Sequence, residues 1–362
     1  MLVVRIIVGL LGGFLAAATL GSAVRTVVVP RGEQTFVARL TVLPLRKIFN
    51  VAARMARDEV GADAIKARFG PAALMTFPFI WATGVIVGCA GIFWSLGVEP
   101  FRDAAVLSGS SLTTLGFRST DDLPTLTLSI IEGIVGLGLV ALLISFLPTI
   151  YGAFSRRENA VAKLHLRATD PDGVPSASAL LVRRHRIDSL DGLAPMWDEW
   201  EDWFVEVEET HTSFPILAFF RSPVPDRSWI ASAGIALDSA ALYCSLLDVP
   251  REFRAMLMIR TGTLSLRRVC DFFGFVYDPD PAPTDPIGIT RADFDEVADL
   301  FIGVDMPVVA DLDQAWRDFA GWRVNYDVPL RSLATFIDPP VVPWATDRPL
   351  DIESLRLVRR RR

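Results

Sequence analysis

The sequence predicts an all-α membrane protein, with membrane spans first and a mainly helical soluble domain after them. Three observations predict it. Long uncharged runs crowd the first 155 residues, while charge and proline dominate the rest. Three of those runs reach the roughly 20 apolar residues that a helix needs to cross a bilayer. Beyond them, strand-like alternation is sparse and apolar residues recur at helical spacing.

The three spans fall at about 6–24, 73–96 and 126–150. Flanking cations orient them. The segment between the first and second spans carries nine Lys/Arg, from Arg25 to Arg68, against the four acids Glu33, Asp58, Glu59 and Asp63. That segment is expected inside. Between the second and third spans the cations are Arg102 and Arg118, beside Glu99, Asp103, Asp121 and Asp122. That loop is expected outside. Arg156 and Arg157 follow the third span and return the rest of the chain to the cytoplasm.

The first span has a rival reading. Arg5, a short apolar run and the small residues of "LGSA" resemble a secretory signal peptide. Its cleavage would leave the nine-cation loop outside, against the cation bias, so the uncleaved span is preferred. Within the basic loop, residues 45–55 are amphipathic, with Ile48, Phe49, Val51, Ala52 and Met55 on one side. Such a helix either lies in the headgroup layer or packs on the soluble domain.

The composition excludes several functions. The net charge of −6 gives no footprint for nucleic acid. The three cysteines (Cys89, Cys244, Cys270) and three histidines (His165, His185, His211) are scattered, with no CxxC pair, HExxH, P-loop or GxSxG. No enzyme signature, metal site or cofactor follows. A Cys244–Cys270 disulfide is conceivable, but free thiols are expected in a cytosolic domain.

Between the second and third spans lies "EPFRDAAVLSGSSLTTLGFRSTDDLP". Pro100 suits the start of a helix, and residues 101–112 fit a short helix that enters the membrane part way. An extended segment follows, and Pro124 starts the next span. Irregular backbone survives at membrane depth only where protein or a water path satisfies it. Carbonyls lining an ion path meet that condition.

Span, short helix, "TTLGF", then a span with an early Glu and spaced glycines resembles the pore module of tetrameric potassium channels, of the bacterial two-span type. The resemblance covers about residues 75–155. It implies that Thr114, Leu115, Gly116 and Phe117 line a selectivity filter, with Thr113 at its inner end. It implies a hinge at Gly138, beside Gly136, and Pro148 as a kink near a cytoplasmic gate. The chain departs from the family where Arg118 and Ser119 replace a glycine and an acid. Four guanidinium groups would then ring the outer mouth of a fourfold assembly. Glu132, an acid at lipid depth, is the expected partner of Arg118 behind the filter.

The organisation expected is a first span (1–29), a basic amphipathic segment (30–72), a pore domain (73–155), a linker (156–177) and a cytoplasmic helical domain (178–362). Candidate helices in the last are 178–190, 194–211, 227–248, 251–274, 291–303 and 311–335. Trp197, Trp200, Phe204 and Val207 form a core stripe in "MWDEWEDWFVEVEE". The run 229–247 is nearly long enough to span. Asp238 in its middle argues for a buried bundle helix, bonded to an arginine such as Arg221 or Arg260. The tail "RLVRRRR" is solvated or touches anionic lipid.

The function these readings imply is a homotetrameric, potassium-channel-like pore in the inner membrane, since one loop per chain cannot enclose a path. Its permeant ion is a monovalent cation, K+ by resemblance, and its partners are its own copies and membrane lipid. The alternative is a non-conducting, membrane-anchored sensor or scaffold that keeps a degenerate pore fold.

Overall fold

The computed structural model describes residues 2–27, 36–169, 173–187, 190–224 and 227–350. The chain divides into two compact units, Met1–Gly152 and Ala153–Arg362. Among the described residues the regular structure is helical, with no strand and only two isolated β-bridges. Arg31, Glu33 and the basic tail 356–362 lie outside the described residues.

The first unit contains α1 (Leu2–Val27), α2 (Phe36–Arg54), α3 (Glu59–Ala67), α4 (Phe69–Ser95), α5 (Phe101–Leu112) and the start of α6 (Leu123–Ala168). α1 and α4 meet backbone to backbone. A Cβ added at Gly12 would lie 2.3 Å from Gly88 O, and one at Gly88 would lie 2.7 Å from Gly12 O. Small residues at such a seam let apolar helices approach closely, where lipid-like surroundings give no hydrophobic drive. Ala104, Leu107 and Leu112 of α5 then pack with Val85, Cys89, Ala90 and Phe93 of α4. At the start of α1, Arg5 forms an ion pair with Glu99, which puts these two ends together.

The second unit contains α7 (Ala177–Arg186), α8 (Ala194–Ser213), α9 (Trp229–Leu246), α10 (Phe253–Phe273), α11 (Arg291–Gly303) and α12 (Leu312–Ile337). The expected α8 stripe is core: Trp197, Trp200, Phe204 and Val207 are all buried. Thr290 and Asp293 form a reciprocal capping box that fixes the start of α11. The three thiols are free.

Among the described residues, four helices are long and apolar enough to cross a membrane: α1, α4 with its approach from Val60, α6 and α9. Burial separates them. The apolar stretch of α1 is 17% buried and that of α9 is 94% buried. A helix hydrophobic all round and enclosed by protein is a core helix. Asp238 on α9 is bonded as expected in kind but not by Arg221 or Arg260. Arg323 of α12 is its partner, and Tyr326 Oη donates to it over 2.8 Å. Arg323 Nε also donates to Asp327 Oδ1 at 3.0 Å, and its Nη2 donates to Trp344 O at 2.7 Å.

The expected linker at 156–177 is corrected over its first half, because α6 is helical to Ala168. The run "RRENAVAKLHLRA" is charged, which ends a membrane span, but it holds no glycine or proline to end a helix. Val161, Leu164 and Ala168 are buried at helical spacing. Arg157 is buried with them. Its Nη1 donates to Leu217 O (2.8 Å) and meets His211 Nε2 (3.1 Å), and its Nη2 donates to Phe220 O (2.6 Å) and Glu158 Oε1 (2.9 Å). α3 was not anticipated either; Asp58 caps it by accepting from Gly61 N at 2.7 Å.

Candidate functional site

The candidate site is the segment that leaves α5. The helix starts after Pro100 and carries Asp103 in its first turn, where an acid complements the helix dipole. It ends at Thr113, whose hydroxyl donates to Gly109 O at 2.6 Å.

Beyond it the backbone folds under the helix end. Thr114 N donates to Ser111 O (3.0 Å), while Leu115 N and Gly116 N both donate to Ser110 O (3.1 and 3.4 Å). Arg118 N donates to Ser110 Oγ at 3.1 Å. Ser110 is fully buried and accepts from three residues of the loop, Leu115, Gly116 and Arg118. The backbone alternates in hand: Thr113 has φ −80, Thr114 +57 and Gly116 +67, with no positive φ at Leu115. Glycine accepts +67 without the Cβ penalty of other residues. Among the described residues, no group donates to the carbonyls of Thr114, Leu115, Gly116 or Phe117.

The loop therefore turns the N–H groups of Thr114, Leu115, Gly116 and Arg118 toward α5 and leaves four consecutive carbonyls unbonded among the described residues. Such a row can replace the hydration shell of a small cation. Thr113 to Ser119 are all exposed in the single chain, Leu115 and Phe117 by 69% and 66%. Exposed apolar side chains beside unbonded carbonyls mark a surface that another chain can complete.

Arg118 does not meet Glu132. Its Nη2 donates to Asp103 Oδ2 at 2.7 Å. Glu132 is 1% exposed, and its Oε1 accepts from Ser108 Oγ at 2.5 Å. Oε2 has no hydrogen-bond partner among the described residues, and the Cys89 thiol is its neighbour. The expected pair fails because each charge has a closer companion on α5, one helix turn from either end. Asp103, Ser108 and Ser110 were missed as site residues. A short helix with an acid in its first turn and serines in its last was the available signal.

Of the expected hinge residues, Gly136 is a packing position. A Cβ there would lie 1.8 Å from Leu112 O, so α6 passes the end of α5 only because Gly136 has no side chain. Gly138 has open space around it, and Pro148 lies inside α6, which is helical on both sides.

Among the described residues, no cluster of His, Cys, Asp or Glu could hold a metal ion. No family model matches the chain, and neither a curated protein nor a solved structure matches it.

Proposed function

We propose that the chain is one subunit of a homotetrameric, potassium-channel-like pore that passes a monovalent cation, K+ in the first instance, across the inner membrane. The observation that carries this reading is the segment 114–117, with the N–H groups of Thr114, Leu115 and Gly116 bonded inward and four carbonyls without a donor among the described residues. Backbone carbonyls without donors are costly at membrane depth. A permeant cation satisfies them, and four copies around an axis enclose the path.

Three further features support it. The exposed apolar residues of α1 and α6, such as Leu10, Phe14, Ile134, Val140 and Ile144, suit lipid or subunit contact. The glycine seam between α1 and α4 suits a retained first span. Arg118 is drawn back over α5 by Asp103, which relieves the repulsion that a ring of four forward-facing guanidinium groups would create. In this reading Thr113 to Phe117 form the filter, Gly138 is the hinge of α6, and the helical domain lies in the cytoplasm.

A non-conducting scaffold is favoured by one observation: the Arg118 side chain keeps 45% exposure and so stays available to the mouth. Subunit count decides first. The purified full chain is expected to run as a tetramer by mass in detergent. A monomer or dimer that stays folded at all concentrations would overturn the pore reading.

A further inference from the structure

Between α1 and α6 of the first unit runs an open-sided groove of about 540 Å³. Leu20 and Val24 line one wall, and Val135, Gly138, Leu142 and Ser145 line the other. Its floor includes Ala23, which packs with Phe77 and Trp81. The lining is apolar, and its one hydroxyl is already used: Ser145 Oγ donates to Leu142 O at 2.9 Å. Nothing in the groove calls for water.

A cation stands one residue beyond Val24, the last residue of α1 that lines the groove. Arg25 follows Val24 directly, in the last turn of α1. It is exposed and has no acid partner among the described residues. The cation bias places this end at the cytoplasmic face, where anionic headgroups gather and each nearby Arg adds attraction.

We infer that this groove binds one acyl chain of an anionic phospholipid, with the lipid phosphate on Arg25. The inference rests on the membrane reading of α1 and α6, because only there is the surrounding medium hydrocarbon. Apolar walls take the chain, the open side at Gly138 and Ala141 admits it laterally, and the single guanidinium selects the headgroup charge.

The test is native mass spectrometry of the full chain purified in detergent, with phosphatidylglycerol and phosphatidylcholine added at equal concentration. The wild type is expected to retain one phosphatidylglycerol per chain, at least tenfold in preference to phosphatidylcholine. Ala141→Phe, which fills the open side, is expected to remove that adduct. Arg25→Gln, a surface change that leaves the groove intact, is expected to bring the two lipids to near parity. Equal retention of both lipids by the wild type would overturn the headgroup assignment. Unchanged retention in Ala141→Phe, with helix content intact by circular dichroism, would overturn the groove assignment. So would loss of oligomer mass in that variant with lipid retained, because the groove would then seat a second copy. A chain that is soluble without detergent would instead defeat the membrane reading, a result that the extraction step reports separately.

Discussion

Arg118 reaches back along α5 to Asp103, with Nη2 2.7 Å from Oδ2. The pair joins the end of the loop to the first turn of the helix before it. Both side chains are partly exposed, so the pair contributes only about 0.2–1 kcal/mol to stability. Its consequence lies in where the charge points. Asp103→Asn is expected to leave thermal stability within about 1 kcal/mol of wild type but to cut K+ flux several-fold in liposomes, as four released guanidinium groups turn to the mouth. Adding Arg118→Gln should restore the flux. Unchanged flux in Asp103→Asn would show that the pair does not hold the arginine clear.

Glu132 gives a second prediction, on stability. Removing Ser108 Oγ leaves a buried carboxyl oxygen without its donor, a loss of about 1–3 kcal/mol. Ser108→Ala and Glu132→Gln should therefore couple in a double-mutant cycle. Arg118→Gln and Glu132→Gln should add, because their charges have separate partners. Chemical denaturation of the full chain in detergent reads both cycles. Coupling in the second cycle would restore the pairing that the sequence suggested.

The two glycines of α6 should behave oppositely. Gly136→Ala drives a methyl into Leu112 O. The end of α5 must shift, at a cost of about 1–3 kcal/mol, and the loop shifts with it. Gly138→Ala meets nothing and should be silent in stability. Equal melting temperatures for the two variants would contradict the close approach of α5 and α6.

His211 sets a pH dependence. Its Nδ1 lies 2.9 Å from Val207 O, so Nδ1 carries the hydrogen and Nε2 accepts from Arg157. Burial and the adjacent Arg157 charge hold its pKa well below the usual histidine value. The unfolded chain, with an ordinary histidine, binds the proton more readily, so stability falls as pH drops below about 6.5. The loss attributable to this group grows as the pH falls from about 6.5 toward 5. His211→Gln should flatten the fall in melting temperature between pH 7 and 5, even though it lowers the starting value. An identical slope in that variant would remove His211 as the cause.

Much of the architecture was legible because local signals marked it. Residues 101–112 sit between Pro100 and the end-capping Thr113, and α11 begins at a capping box, so both helices were bounded correctly from sequence. Charge misled where it was taken to end structure. It ended the apolar run near Ile150 but not the helix, which runs to Ala168. Partners across long separations were not legible. Nothing in the sequence around Asp238 points to Arg323, 85 residues away. The loop residues were legible as a motif, whereas their anchor was not, because serines in the last turn of α5 mark a helix end without showing which loop groups return to Ser110.

The central claim is that the carbonyls of residues 114–117 line a cation path, and K+ flux through the purified full chain in liposomes tests it most directly. Gly116, at φ +67, holds that carbonyl row in place; alanine there costs about 1–2 kcal/mol of backbone strain and turns the carbonyls. The account predicts K+ flux well above protein-free liposomes for the wild type and at least a tenfold loss for Gly116→Ala. Absence of cation flux from correctly assembled wild-type protein, or equal flux in the variant, would contradict it.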